Sequence, residues 1–169
     1  MRRLSRLRWL GLSILVLGLD QLSKWAAQHF LAYGVPRPVF PGFNLLLVYN
    51  RGAAFSFLSQ AGGWPRWFFI GLALAVSAFL IGWMRRLDAR DHWTAAALAL
   101  ILGGAWGNAL DRLLRGHVID FIQLYYRHWA WPTFNLADSA ITLGAVMLAA
   151  ALFKPASPRG PRPSRRNKP

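Results

Sequence analysis

Four apolar runs organise this chain, and tryptophan or charge marks their ends. They extend over about Trp9–Trp25, Trp64–Met84, Trp93–Leu114 and Trp131–Phe153. A helix needs roughly 20 mostly apolar residues to cross about 30 Å of hydrocarbon, so each run predicts a transmembrane helix and the whole an all-α membrane protein. The first run follows Arg2, Arg3, Arg6 and Arg8, the layout of a cleaved signal peptide, with Ala26 and Ala27 imitating its exit. Asp20 and Lys24 stand where a cleavage region would be small and neutral, which favours a retained helix. Between the first two runs, aromatic and β-branched residues broken by Pro41, Gly42 and Gly52 predict a small extracytoplasmic β element, a strand pair at about 37–60. The segment from Arg115 to Ala130 joins the third and fourth runs. Residues 155–169 hold Pro, Ser and Arg but few apolar side chains, and are expected to be a disordered basic tail behind a single domain, 1–154.

Charge sets the expected orientation. The chain carries 20 Lys+Arg against 6 Asp+Glu, a net +14. Most of the basic residues fall in the N-terminal flank, the 85–92 loop and the tail, while the opposite side holds Arg37, Arg51, Arg66, Arg115 and Arg127. Loops rich in Lys and Arg face the cytoplasm, so both termini are predicted cytoplasmic. Trp9, Trp83 and Trp93 would then mark the inner interface, and Trp25, Trp64, Trp67, Trp129 and Trp131 the outer one. No basic face is interleaved with aromatics outside an apolar segment, which argues against a nucleic-acid partner. The chain has no cysteine, hence no thiolate chemistry. Its four histidines, His29, His92, His117 and His128, are scattered without ligand spacing.

All six acidic residues are aspartates. Asp88 and Asp91 read as solvated loop residues. The predicted topology puts Asp20, Asp111, Asp120 and Asp138 at one depth near the outer leaflet, where ionisable groups are costly and mark function. Asp20 and Lys24 lie one helical turn apart and read first as a structural ion pair. Asn108, Asp111 and Arg112 share a helix face, with Asp111 placed to pair with Arg112. Gly103 and Gly107 form a small-residue step for close helix approach. Asp120, in Val118-Ile-Asp-Phe-Ile, and Asp138, in Phe134-Asn-Leu-Ala-Asp-Ser, have no basic partner nearby in sequence. Two adjacent carboxylates share one proton. The ionised member can activate water while the protonated one polarises a carbonyl. Asp138 also has a plainer reading, as an acid in the first turn of a helix.

Five blocks carry a resemblance: Asp20-Gln-Leu-Ser-Lys24, Asn50-Arg-Gly-Ala-Ala-Phe55, Gly103-Gly-Ala-Trp-Gly-Asn-Ala-Leu-Asp-Arg112, Gly116-His-Val-Ile-Asp-Phe121 and Phe134-Asn-Leu-Ala-Asp-Ser139. In this order the chain resembles the lipoprotein signal peptidases, the signal peptidase II family, from Asp20 to Gly144. The resemblance implies an intramembrane aspartic endopeptidase of the bacterial inner membrane with Asp120 and Asp138 as catalytic pair. It implies that Asn50, Gly52, Asn108, Arg112 and Asn135 line or shape the substrate site, while Asp20, Lys24 and Asp111 keep the structural polar reading drawn from their spacing. It implies a prolipoprotein substrate cut just before its diacylglyceryl-modified cysteine, contact with membrane lipids, and sensitivity to globomycin-type cyclic peptides. No metal or cofactor is implied. Two other readings stay open at the level of residues: a small proton-coupled transporter component, and a non-catalytic scaffold using its aspartates as inter-helix glue.

Overall fold

The computed structural model describes residues 8–52 and 64–152. The N-terminal arginines at positions 2, 3 and 6, the 53–60 part of the expected β element and the tail at 155–169 lie outside the described residues. Four helices occur where the apolar runs predict them: α1 (Leu10–Phe30), α2 (Trp64–Arg86), α3 (His92–Arg115) and α4 (Leu136–Leu152). By length and composition α2 and α3 could cross a membrane, and α4 is a shorter apolar helix.

The residues of α1 explain both its helix and its surroundings. Its buried positions, Ser13, Val16, Asp20, Lys24 and Ala27, recur at spacings of three and four and so form one stripe. Ile14, Leu15, Leu19 and Leu22 on the other side are exposed. Acid and lysine inside with leucine outside inverts the pattern of a helix in water, and suits an apolar solvent. In α2 the buried set is small, Pro65, Ser77, Leu80 and Met84, and the helix packs chiefly on α3. Leu80 and Met84 meet Leu98, Ala99 and Leu102 there. Trp106 of α3 donates its indole N–H to Ser77 Oγ (3.0 Å).

Helix α3 is central, lying against α1, α2 and α4. Asp91 caps its start by accepting from Thr94 N (3.0 Å), and Gly116, at φ 77°, closes its end in the left-handed conformation. Glycines let its neighbours approach. A Cβ on Gly103 would lie 2.7 Å from Ser13 O of α1, and one on Gly107 2.5 Å from Asp20 Oδ2. One on Gly104 would collide with Ala137 O of α4, and one on Gly144 of α4 would lie 2.6 Å from Ala97 O. The step expected from Gly103 and Gly107 therefore serves α1, while Gly104 and Gly144 make the tighter seam with α4.

The β element is larger than the expected strand pair. It is a four-stranded antiparallel sheet in the order β1 (Arg37–Phe40), β2 (Phe43–Asn50), β3 (Val118–Tyr126), β4 (Trp129–Ala130). Two of its strands come from the segment that in sequence only joins two helices. The reason lies in burial: Val118, Ile119, Asp120 and Phe121 are consecutively buried, so β3 shows no period-two alternation. Ile119 and Phe121 pack with Leu47 and Ala27, which seats the sheet on the end of α1. The fourth helix begins at Leu136 rather than near Trp131, because residues before it are held by β3. Trp131 N donates to Leu124 O (2.8 Å), and Phe134 and Ile122 exchange backbone bonds of 3.0 and 2.8 Å.

The seam between α3 and α4 predicts a graded cost. Gly104→Ala overpacks it and is expected to lower stability by about 1–3 kcal/mol. Gly82→Ala, at a site with no atom within 4 Å, leaves the thermal unfolding temperature in detergent unchanged or slightly raised.

Candidate active site

Asn135 is where the site is assembled. It stands just before α4, and its Oδ1 accepts from Asp138 N (2.9 Å) while Asp138 Oδ2 accepts from Asn135 N (3.2 Å). This reciprocal pairing is a capping box with Asn and Asp as its members. The Asn135 Nδ2 group then donates to Asp120 Oδ1 at 2.7 Å, with Asn108 Oδ1 (3.1 Å) and Ile119 O (3.3 Å) also in range. One fully buried asparagine thus touches both aspartates, one brought by a strand and the other by a helix.

The remaining partners are also amides. Asp120 Oδ2 accepts from Asn50 Nδ2 (3.1 Å) at the end of β2, and Asp138 Oδ1 accepts from Asn108 Nδ2 (2.7 Å) on α3. Asn50 Oδ1 accepts from Gly52 N (3.0 Å), so the turn after β2 is fixed by the same side chain. Arg112 donates to Gly52 O (3.1 Å) and Asn108 O (3.3 Å), and its guanidinium carbon lies 4.7 Å from the Phe69 ring centre. Among the described residues, neither Asp120 nor Asp138 makes an ion pair.

Behind this layer lies a buried ionic cluster. Lys24, fully buried, contacts Asp20 Oδ2 and Asp111 Oδ2 at 2.8 Å each and donates to Asn108 Oδ1 at 2.9 Å. Asp20 Oδ1 accepts from Ala137 N (2.9 Å) in the first turn of α4. Asp111 Oδ2 accepts from Ile119 N (3.3 Å) of β3. The pairing of Asp111 with Arg112 expected from sequence is not the one formed. Asp111 Oδ1 meets Arg115 at 2.6 Å, one full turn along the helix, while Arg112 turns toward Asn108 O and Gly52 O. Gln21, not singled out from sequence, bridges Asp20, Asp111 and Gly107 O. The signal for Arg115 was present in its i,i+4 spacing from Asp111; Gln21 gave none beyond its neighbour Asp20.

Both aspartates open on one cavity of about 720 Å³. Asn50, Asn108 and Arg112 line its polar end, and Thr142, Leu143 and Val146 carry an apolar wall along α4. Among the described residues no group of three or more His, Asp or Glu side chains is placed to hold a metal ion. Asp120 is pushed up to about 6, first by burial and then by the charge of Asp138, against the pull of the Asn50 and Asn135 hydrogen bonds. A carboxyl in that range can hold a proton near neutral pH and part with it, as acid–base chemistry requires.

Comparison with known proteins places these features in context. The family model described as "Signal peptidase (SPase) II" matches residues 12–154. A protein of Polynucleobacter necessarius subsp. necessarius named "Lipoprotein signal peptidase" is 54% identical over 148 residues, covering 88% of this chain and 90% of that one. One of the same name from Pseudomonas fluorescens is 53% identical over 154 residues, covering 90% and 91%. Among solved structures, one described as a bacterial membrane enzyme determined by the in meso method at 2.3 Å resolution superposes with a TM-score of 0.79 at 29% identity, covering 92% of this chain and 93% of that one.

Two stability predictions follow from the electrostatics. Lys24→Met leaves buried Asp20 without a cation, while Asp111 keeps Arg115, and is expected to cost about 3–5 kcal/mol. Adding Asp20→Asn restores the charge balance and recovers much of that loss in thermal unfolding. For Asp120 the folded value lies above the ordinary 3.8, so between them the folded chain binds more protons than the unfolded one. Its contribution is present below the lower value and is lost as pH rises through the upper one. Asp120→Asn is therefore expected to raise stability by on the order of 1–3 kcal/mol at about pH 7.5, the gain fading toward about pH 4.

Proposed function

The chain belongs to the signal peptidase II family, and from that premise we propose that it is an aspartic endopeptidase that removes signal peptides from diacylglyceryl-modified prolipoproteins. The observation that carries this reading is the placement of Asp120 and Asp138, linked by Asn135 and without ion-pair partners among the described residues, at the polar end of one partly apolar cavity. A glue role would pair these carboxylates with cations, as it pairs Asp20 and Asp111.

In this reading one aspartate takes a proton from water as the water oxygen attacks the scissile carbonyl carbon. The other gives its proton to the carbonyl oxygen, forming a neutral diol. The first then protonates the leaving nitrogen as the C–N bond breaks, and the second recovers a proton from a diol hydroxyl. The leaving nitrogen is that of the lipidated cysteine. Asn50, Asn108 and Asn135 hold the carboxyls in place by donating to them, and Arg112, tied to Gly52 O, lines the cavity beside them. The apolar wall at Leu143 and Val146 suits a substrate anchored by acyl chains.

The same reading has four helices crossing the bacterial inner membrane, both termini cytoplasmic, and the aspartates near the outer leaflet. Exposed Trp25, Trp64, Trp67, Trp129 and Trp131 support that interface. Globomycin-type cyclic peptides would occupy the same cavity and compete with substrate.

The test is cleavage of a diacylglyceryl-modified prolipoprotein by purified protein in lipid, read as a gel shift. Asp120→Asn and Asp138→Asn are each expected to lose at least about a thousandfold in rate while unfolding at or above the wild-type temperature. Cleavage surviving either substitution at near wild-type rate would rule out the aspartic mechanism.

A further inference from the structure

The two carboxyls do not have equivalent surroundings. Asp138 sits in the first turn of α4, where the helix dipole favours negative charge, and accepts a backbone N–H from Asn135. Its other oxygen accepts from Asn108, whose own carbonyl oxygen accepts from the Lys24 ammonium. A cation on an amide oxygen polarises the amide and makes its N–H₂ a stronger donor. The arrangement cannot be reversed: turning Asn108 over would put its N–H₂ against the ammonium and its oxygen against the carboxylate. Lys24 has three N–H bonds and three acceptors, Asp20, Asp111 and Asn108, so its position is fixed. Asp120 lies on a strand and, among the described residues, its carboxyl accepts from the neutral side-chain amides of Asn50 and Asn135.

Resting on the peptidase reading above, we propose that Asp138 is the ionised member of the pair and Asp120 the proton-bearing one, with Lys24 acting as a positioning residue that reaches Asp138 through Asn108. Asp138 then is the base that takes the proton from water, and Asp120 the acid that protonates the scissile carbonyl oxygen. Among the described residues, the charged groups around the pair are Lys24 and Asp20 of α1, Arg112 and Asp111 of α3, and the two carboxyls themselves.

With only six aspartates in the chain, labelling their side-chain carboxyl carbons gives an NMR spectrum in which each titration can be followed in lipid nanodiscs. In Asp138→Asn the surviving carboxyl of the pair is Asp120, and in Asp120→Asn it is Asp138, each free of its charged neighbour. Asp120 is expected to hold its proton to a pH about one unit or more above that at which Asp138 loses its own. Coincident titrations, or the reverse order, overturn the proposal. A second arm tests the relay: on the Asp120→Asn background, Asn108→Leu is expected to move the Asp138 titration upward. If that chain does not fold, the charge-balanced Asp20→Asn/Lys24→Met pair serves instead, with the same expected direction. No movement removes Lys24 from its role. These titrations need no substrate, so a failure here is distinct from a failure to cleave prolipoprotein, which bears on the peptidase reading alone.

Discussion

The buried ammonium of Lys24 is the contact on which the other parts of the site converge. A lysine taken wholly out of water is tolerable only if its charge and all its N–H groups are met. Here they are met by three different side chains, and each of two acids does a second job. Asp20 holds the first turn of α4 through Ala137 N, and Asp111 holds β3 through Ile119 N. The cation therefore fixes where a helix and a strand meet, and those are the elements that carry Asp138 and Asp120. Close approach is a condition of this geometry. Asp20 can reach Lys24 and Ala137 only because Gly107 leaves room for its carboxylate.

Fold and proposed chemistry share atoms at this junction. Asp138 is at once a wall of the cavity and half of the capping box that starts α4. Asn135 is both the other half of that box and the donor to Asp120. Removing either side chain outright would damage a helix end as well as the setting of a carboxyl of the proposed site. Isosteric Asp→Asn exchange separates the two roles, because the amide oxygen still accepts from the backbone.

Much of this was legible in the sequence, for physical reasons that also set its limits. The helices were legible because apolar runs of spanning length have few other uses. The Asp20–Lys24 pair was legible because helix geometry alone decides it. The pairing of Asp111 was misread because adjacent residues on a helix do not face each other, and the partner lay one turn on, at Arg115. Strand β3 was hidden because burial on both faces removes alternation. Asn108 was visible as a candidate site residue, but its contacts with Lys24, Asn135 and Asp138 join three helices and the turn before one of them, and no local pattern carries that.

The pairing of β2 with β3 has a consequence for how this chain can change over time. Asn50 lies opposite Val118 and Val48 opposite Asp120, beyond a bulge between Leu45 and Val48. Strand side chains alternate between faces, so a shift of one residue would turn each to the other side. Single-residue exchanges along residues 43–50 can be absorbed, but an inserted or deleted codon there would carry Asn50 away from the carboxylate it serves. Length, more than composition, is what this stretch of chain must keep.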